Sequence, residues 1–120
     1  MQGSQSKFLA DGRRELAARN YGIAVGLLSA AVSLKPDDVD AYFSRGAAYL
    51  GAGNPRQAQN DYLKVLQLRP DYAQAWYQLG VAQEALHRPK EALESYARAT
   101  SMKPDLADAF YTAPGDAFWM

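Results

Sequence analysis

Residues 39–72 read VDAYFSRGAAYLGAGNPRQAQNDYLKVLQLRPDY, and residues 73–106 read AQAWYQLGVAQEALHRPKEALESYARATSMKPDL. Laid one over the other, the two stretches agree in their punctuation: Gly46 falls over Gly80, Ala58 over Ala92 and Pro70 over Pro104. The step is 34 residues, and it extends backwards through Gly12, Ala24 and Pro36. The aromatic series Phe8, Tyr42, Trp76 and Phe110 keeps the same step, as do Leu28, Tyr62 and Tyr96, and Ala31, Val65 and Ala99. Columns that share one period make the chain a tandem array, and a period of this length decides architecture before any single motif is weighed.

Within a unit, apolar residues recur at three- and four-residue spacings, the signature of helices with one buried face. The spacing predicts a first helix over 39–50, a turn at Gly51-Ala-Gly-Asn54 and a second helix over 55–68. Asn54 suits the N-cap, and Pro55 suits the first helical position, where its missing N–H costs nothing. Arg88 and Pro89 repeat that arrangement in the third unit. Pro36, Pro70 and Pro104 stop the second helices, and Asp37, Asp71 and Asp105 are expected to favour the start of the next ones. Glycine and alanine at the repeated small positions let paired helices approach closely, with the aromatics, Trp76 foremost, expected to fill the space between them. The organisation is thus a single all-α domain over 1–120. Its units are about 5–38, 39–72 and 73–106, followed by a partial unit at 107–113 and an apolar tail at 114–120.

Composition narrows the function classes. A chain of 120 residues and 13.2 kDa holds one core. Thirteen Lys plus Arg balance thirteen Asp plus Glu, so no net charge draws it toward nucleic acid or an anionic membrane. Without cysteine there are no disulfides, thiolate metal sites or cysteine nucleophiles. The start, Met1 to Lys7, is short and polar, and no apolar run approaches the roughly 18 residues a bilayer span needs. Cytoplasmic placement is the default expectation.

A 34-residue helix-turn-helix unit with Trp, Leu-Gly, Tyr, Ala, aromatic, Ala and Pro at set places resembles the tetratricopeptide repeat. Unit three carries the resemblance in Trp76, Leu79, Gly80, Ala92, Tyr96, Ala99 and Pro104, and unit two in Tyr42, Gly46, Tyr49, Ala58, Tyr62, Val65 and Pro70. Asp11 and Glu15 in unit one, and Arg45 and Gln83 later, depart from the family's apolar residues; a terminal repeat, lacking a neighbour on one face, tolerates such changes. Unit four begins with Ala107-Asp-Ala-Phe110 but meets Pro114 where the family has Gly.

The resemblance implies a right-handed α-solenoid, three full repeats plus a partial fourth, with a concave groove lined by first helices. It also implies a protein-interaction role: a peptide or extended apolar segment of a partner held in the groove, as an adaptor or co-chaperone-like scaffold. The groove positions of the family fall here on Leu9, Arg13, Phe43, Ala47, Leu50, Gln74, Tyr77, Val81 and Tyr111, with Glu84, Leu16 and Asp40 in the same stripe. Ser44 and Gln78 are added as groove residues able to hydrogen-bond an extended backbone. A related carboxylate clamp uses Lys, Asn and Arg to hold a C-terminal Asp. Its places hold Leu9, Arg13, Ser44, Gln74 and Gln78, so only Arg13 offers a cation.

Catalytic chemistry finds no constellation, and the chain is expected not to be an enzyme. His87 is the single histidine and falls in an inter-helix turn; Asp37-Asp38 sits at a helix entrance, where capping explains it better than acid–base work. Gly51-Ala-Gly53 has neither the preceding strand nor the Lys-Ser or Lys-Thr of a phosphate loop, and no closely spaced metal ligands occur. No cofactor or metal is expected. RNA binding by helical repeats is disfavoured by the 34-residue period and neutral charge. The apolar Phe118, Trp119 and Met120 leave three readings open: a cut through a longer protein, a tail that folds back as a cap, or a tail that docks into another copy. The last is the alternative function, a structural module that self-associates head to tail.

Overall fold

The computed structural model describes residues 2–103, which form six helices and, among those residues, no strand. They are α1 (Gln2–Ala17), α2 (Tyr21–Leu34), α3 (Val39–Gly51), α4 (Pro55–Leu68), α5 (Ala73–Ala85) and α6 (Pro89–Met102). Consecutive helices pair as α1 with α2, α3 with α4 and α5 with α6, and each second helix also lies against the first helix of the next pair. In addition α1 touches α3 and α3 touches α5, so the first helices form the inner layer of an all-α helical-repeat solenoid. The fold class and the helix pairs within units two and three are those read from the period. The expectations for the partial unit 107–113, for Tyr111 and for the tail 114–120 fall outside the described residues.

Local chemistry sets the helix ends, with two corrections. Pro55 and Pro89 open α4 and α6, but neither the Asn54 nor the Arg88 side chain caps its helix. Of the Asp37-Asp38 pair at the entrance of α3 it is Asp38 that caps: its carboxylate accepts from the Asp40 N–H at 3.0 Å and the Ala41 N–H at 3.4 Å. The reason is register, since the residue directly before the helix lies two places after the proline. Tyr72 holds that place before α5 and has no carboxylate to offer, so Asp71 does not cap either. Each first helix closes on a residue with positive φ: Arg19 at 65°, Gly53 at 82° and His87 at 62°. Only unit two supplies glycine for this left-handed turn, which other residues enter at a cost.

Packing hangs on the approach of a ring to a glycine. A Cβ added at Gly46 would stand 2.8 Å from the Tyr62 ring, and one at Gly80 would stand 2.7 Å from the Tyr96 ring. Tyr62, Leu28, Leu79 and Val65 are the largest fully buried side chains. Trp76 is not the wedge expected of it. It is half-buried; its indole N–H donates to the Pro70 carbonyl at 3.1 Å and the Arg98 guanidinium lies 5.1 Å from its ring. Tyr42, one unit earlier, donates its hydroxyl to the Pro36 carbonyl at 2.8 Å. This column therefore ties α3 and α5 to the proline carbonyl where the preceding unit ends, a satisfaction the spacing alone could not reveal.

The departures at Arg45 and Gln83 are explained by partners on the paired helix. Arg45 Nε and Nη2 donate to the two Asp61 oxygens at 2.9 and 2.8 Å, and Nη1 donates to Ser29 Oγ at 3.3 Å, so one guanidinium joins α2, α3 and α4. Burial pushes the Asp61 carboxyl above its ordinary value despite the Arg45 hydrogen bonds and charge, while the hydrogen bond to Asp61 outweighs burial at Arg45 and raises its guanidinium further. In unit three Ser95 Oγ donates to Gln83 Oε1 at 2.6 Å. Gln5 of α1 donates to Asp38 Oδ2 at 2.6 Å and so fastens the first helix to the start of the second unit.

Two outcomes follow from these contacts. Gly46→Ala gains helix propensity but drives a methyl into the Tyr62 ring, and a net loss of about 1–2 kcal/mol is expected in urea unfolding. Asp61→Ala strands the Arg45 charge and is expected to cost about 3 kcal/mol, whereas Arg45→Leu with Asp61→Leu should return to within about 1 kcal/mol of wild type. Leucine already holds those places in neighbouring units, as Leu79 and Leu27.

Candidate binding groove

The first-helix face presents side chains at i, i+4 and i+7 or i+8, so residues five, nine and twelve of each unit form one stripe. Leu9 is half-buried and packs on the cluster of Ala24, Leu28 and Ala48. Phe43 and Leu50 are half-buried against the cluster that contains Tyr62 and Leu79. Ala47, Tyr77, Gln78 and Val81 are half-buried, and Gln74 is exposed. Tyr77 is tilted against Tyr96 with ring centroids 5.4 Å apart. Of the residues expected in the stripe, Leu9, Phe43, Leu50 and Tyr77 thus have a core neighbour and stay partly open to solvent.

Ser44 does not belong to that surface. It is 6% exposed, so its hydroxyl is not offered to a peptide lying in the groove. Arg13 is exposed and forms no ion pair among the described residues, whereas Arg14 and Lys7 are both engaged by Asp11. The hydrogen bond from Lys7 leads the causes that hold the Asp11 carboxyl below its ordinary value. Tyr111 falls outside the described residues.

Tyr72 lies beside the stripe, and the pattern did not single it out. Its ring stacks on Phe43 at 5.1 Å with 12° between planes, and Phe43 in turn tilts against Tyr62 at 5.6 Å. Burial first, then the nearby Asp40 carboxylate, pushes its phenol up, while Arg69 and Arg13 pull the other way. The one available signal was an aromatic two residues after Pro70, where the preceding unit has the capping Asp38. Glu84, in the twelfth position of unit three, accepts the Tyr96 hydroxyl and is thereby tied to the helix behind it.

Paired helices with a 34-residue step, stacked through their first helices, define a helical-repeat solenoid. The tetratricopeptide repeat family matches residues 9–53 and 44–107, and the chain belongs to that family. Solved structures share the fold. The TPR domain of Arabidopsis OM64 is similar at 24% identity with a TM-score of 0.83, over 86% of this chain and 85% of that one. The first TPR of Spaghetti (RPAP3) bound to HSP90 peptide SRMEEVD is similar at 20% identity and a TM-score of 0.82, over 87% and 82%. MamA is similar at 23% identity and a TM-score of 0.79 over 88% of this chain, which spans only 61% of the MamA chain. No described helix is long and apolar enough to cross a membrane.

The Phe43–Tyr72 stack joins unit two to the entrance of unit three. A double-mutant cycle of Phe43→Ala and Tyr72→Ala, read by urea unfolding, is expected to give a coupling of about 1 kcal/mol.

Proposed function

We propose that this chain is a protein-interaction module that holds an extended, mainly apolar segment of a partner protein along its first-helix face, as an adaptor or co-chaperone-like scaffold. One observation carries the reading: Leu9, Phe43, Ala47, Leu50, Tyr77 and Val81 are half-buried side chains on one face of three stacked helices. Apolar area left against water forgoes about 25 cal/mol per Å² that a covering segment would recover. Support comes from the peptide held by the RPAP3 domain of the same fold. The ligand class differs in this reading. Arg13 is the lone cation where an acid-binding clamp would need several, so an internal apolar segment suits the groove better than an acidic C-terminus. Catalysis has no part in the reading, in keeping with an exposed His87 in a turn.

Phe43 packs on Tyr62 and Tyr72, so its truncation would confound binding with folding. Ala47 and Val81 are better probes, since a longer side chain there obstructs the groove without removing a core contact. Dodecapeptides selected from a phage-displayed random library on the wild-type domain supply the probe. Ala47→Glu and Val81→Glu are each expected to weaken their binding at least tenfold, about 1.4 kcal/mol, while unfolding free energy changes by less than about 1 kcal/mol. Unchanged binding in both variants would place the peptides on another face and sink the reading.

A further inference from the structure

The three units treat one pair of positions differently. Behind each first helix, the ring position over the glycine faces the twelfth residue of that helix: Leu28 with Leu16, Tyr62 with Leu50, and Tyr96 with Glu84. In unit one both members are apolar. In unit three both are polar, and the Tyr96 hydroxyl donates to Glu84. Unit two is mismatched. The Tyr62 hydroxyl is buried with no hydrogen-bond partner, the only such side-chain atom among the described residues, and the carboxylate that would accept from it is replaced by Leu50.

A buried phenol that has lost water and gained no acceptor lowers stability, and replacing it by phenylalanine would remove the penalty without changing shape. The position of the orphan is informative. Tyr62 is 0% exposed, its ring lies on Gly46 and against Phe43, and Leu50 packs on the same cluster. All three neighbours belong to α3, and Phe43 and Leu50 are members of the groove stripe. In unit three the equivalent hydroxyl reaches the twelfth residue of the first helix, and in unit two that residue, Leu50, packs on the cluster that holds Tyr62.

We propose that Tyr62 is a recognition residue whose hydroxyl donates to a carbonyl or carboxylate oxygen of the bound segment once Leu50 turns aside, the ligand taking the role that Glu84 plays for Tyr96. This rests on the groove reading above and deepens it, adding to an apolar segment one acceptor at its centre. The free domain carries an unmet donor, and the complex meets it, so the interaction is stronger in the bound state than any the free chain can form. Burial and the neighbouring Asp61 carboxylate push the Tyr62 phenol up, which keeps the proton on the hydroxyl and makes it a donor at all physiological pH.

The test uses the same phage-selected dodecapeptides. Tyr62→Phe is expected to melt about 4 °C higher than wild type yet bind the selected peptides about tenfold more weakly. Leu50→Glu supplies an internal acceptor, and in that background Tyr62→Phe should change peptide affinity by less than twofold. If Tyr62→Phe binds as wild type does while Ala47→Glu loses the peptides, the groove stands and the hydroxyl has no part in it. If Tyr62→Phe melts lower than wild type, the hydroxyl is satisfied in the free domain and the proposal is overturned whatever the affinity. Failure of both Ala47→Glu and Val81→Glu to weaken binding, or of the library to yield any binder, overturns the groove and the proposal together.

Discussion

The seating of the Tyr62 ring on Gly46 governs how the rest of the described chain is arranged. A helix pair can close to this distance only where one partner presents no Cβ, and the ring that enters the gap then fixes the rotation of both helices about their axes. Once that rotation is fixed, Phe43, Ala47 and Leu50 share one face of α3, with Phe43 and Leu50 resting partly on the cluster that holds Tyr62. Leu28 over Gly12 and Tyr96 over Gly80 impose the same geometry one unit before and one after. The groove is a consequence of the core, because its stripe is whatever the close approach leaves outward.

Between units, the connections are polar where a purely apolar array would have served. The Arg45 guanidinium reaches Asp61 within its own pair and Ser29 in the preceding one, and Gln5 reaches across to the carboxylate that caps α3. Tyr42 and Trp76 each hold the carbonyl of the proline that closed the previous unit. Directional bonds of this kind add little net stability, since desolvation consumes most of what they return, but they admit one register. In a fold whose units are alike, a slip by one unit would otherwise be inexpensive, and these residues differ from unit to unit in a way that forbids it.

The groove's character follows from the same economy. Leu9, Phe43, Leu50 and Tyr77 are half-buried because each has a core neighbour, as Phe43 has Tyr62 and Tyr77 has Tyr96. Tyr72 lies beside the stripe and stacks on Phe43, while Arg13 and Asp40 set opposite charges beside its phenol.

The sequence by itself determined the array. A 34-residue step in glycine, alanine, proline and aromatic columns specifies helix pairs, their breaks and the identity of the small residues at the crossing, since each column reports a local backbone or steric requirement. The candidate groove positions came from the resemblance to the family, and helical periodicity adds only that Phe43, Ala47 and Leu50 share one face. What the tertiary structure decided lies between residues distant in the chain. Ser44 went inside, Trp76 came half out, Asp38 of the Asp37-Asp38 pair took the cap, Asp61 emerged as the partner of Arg45, and Tyr62 was left without an acceptor. Periodicity specifies a residue's angle on its own helix. Which polar atom meets which depends on the distance and rotation of the neighbouring helix, and these are set only when the rings close on the glycines.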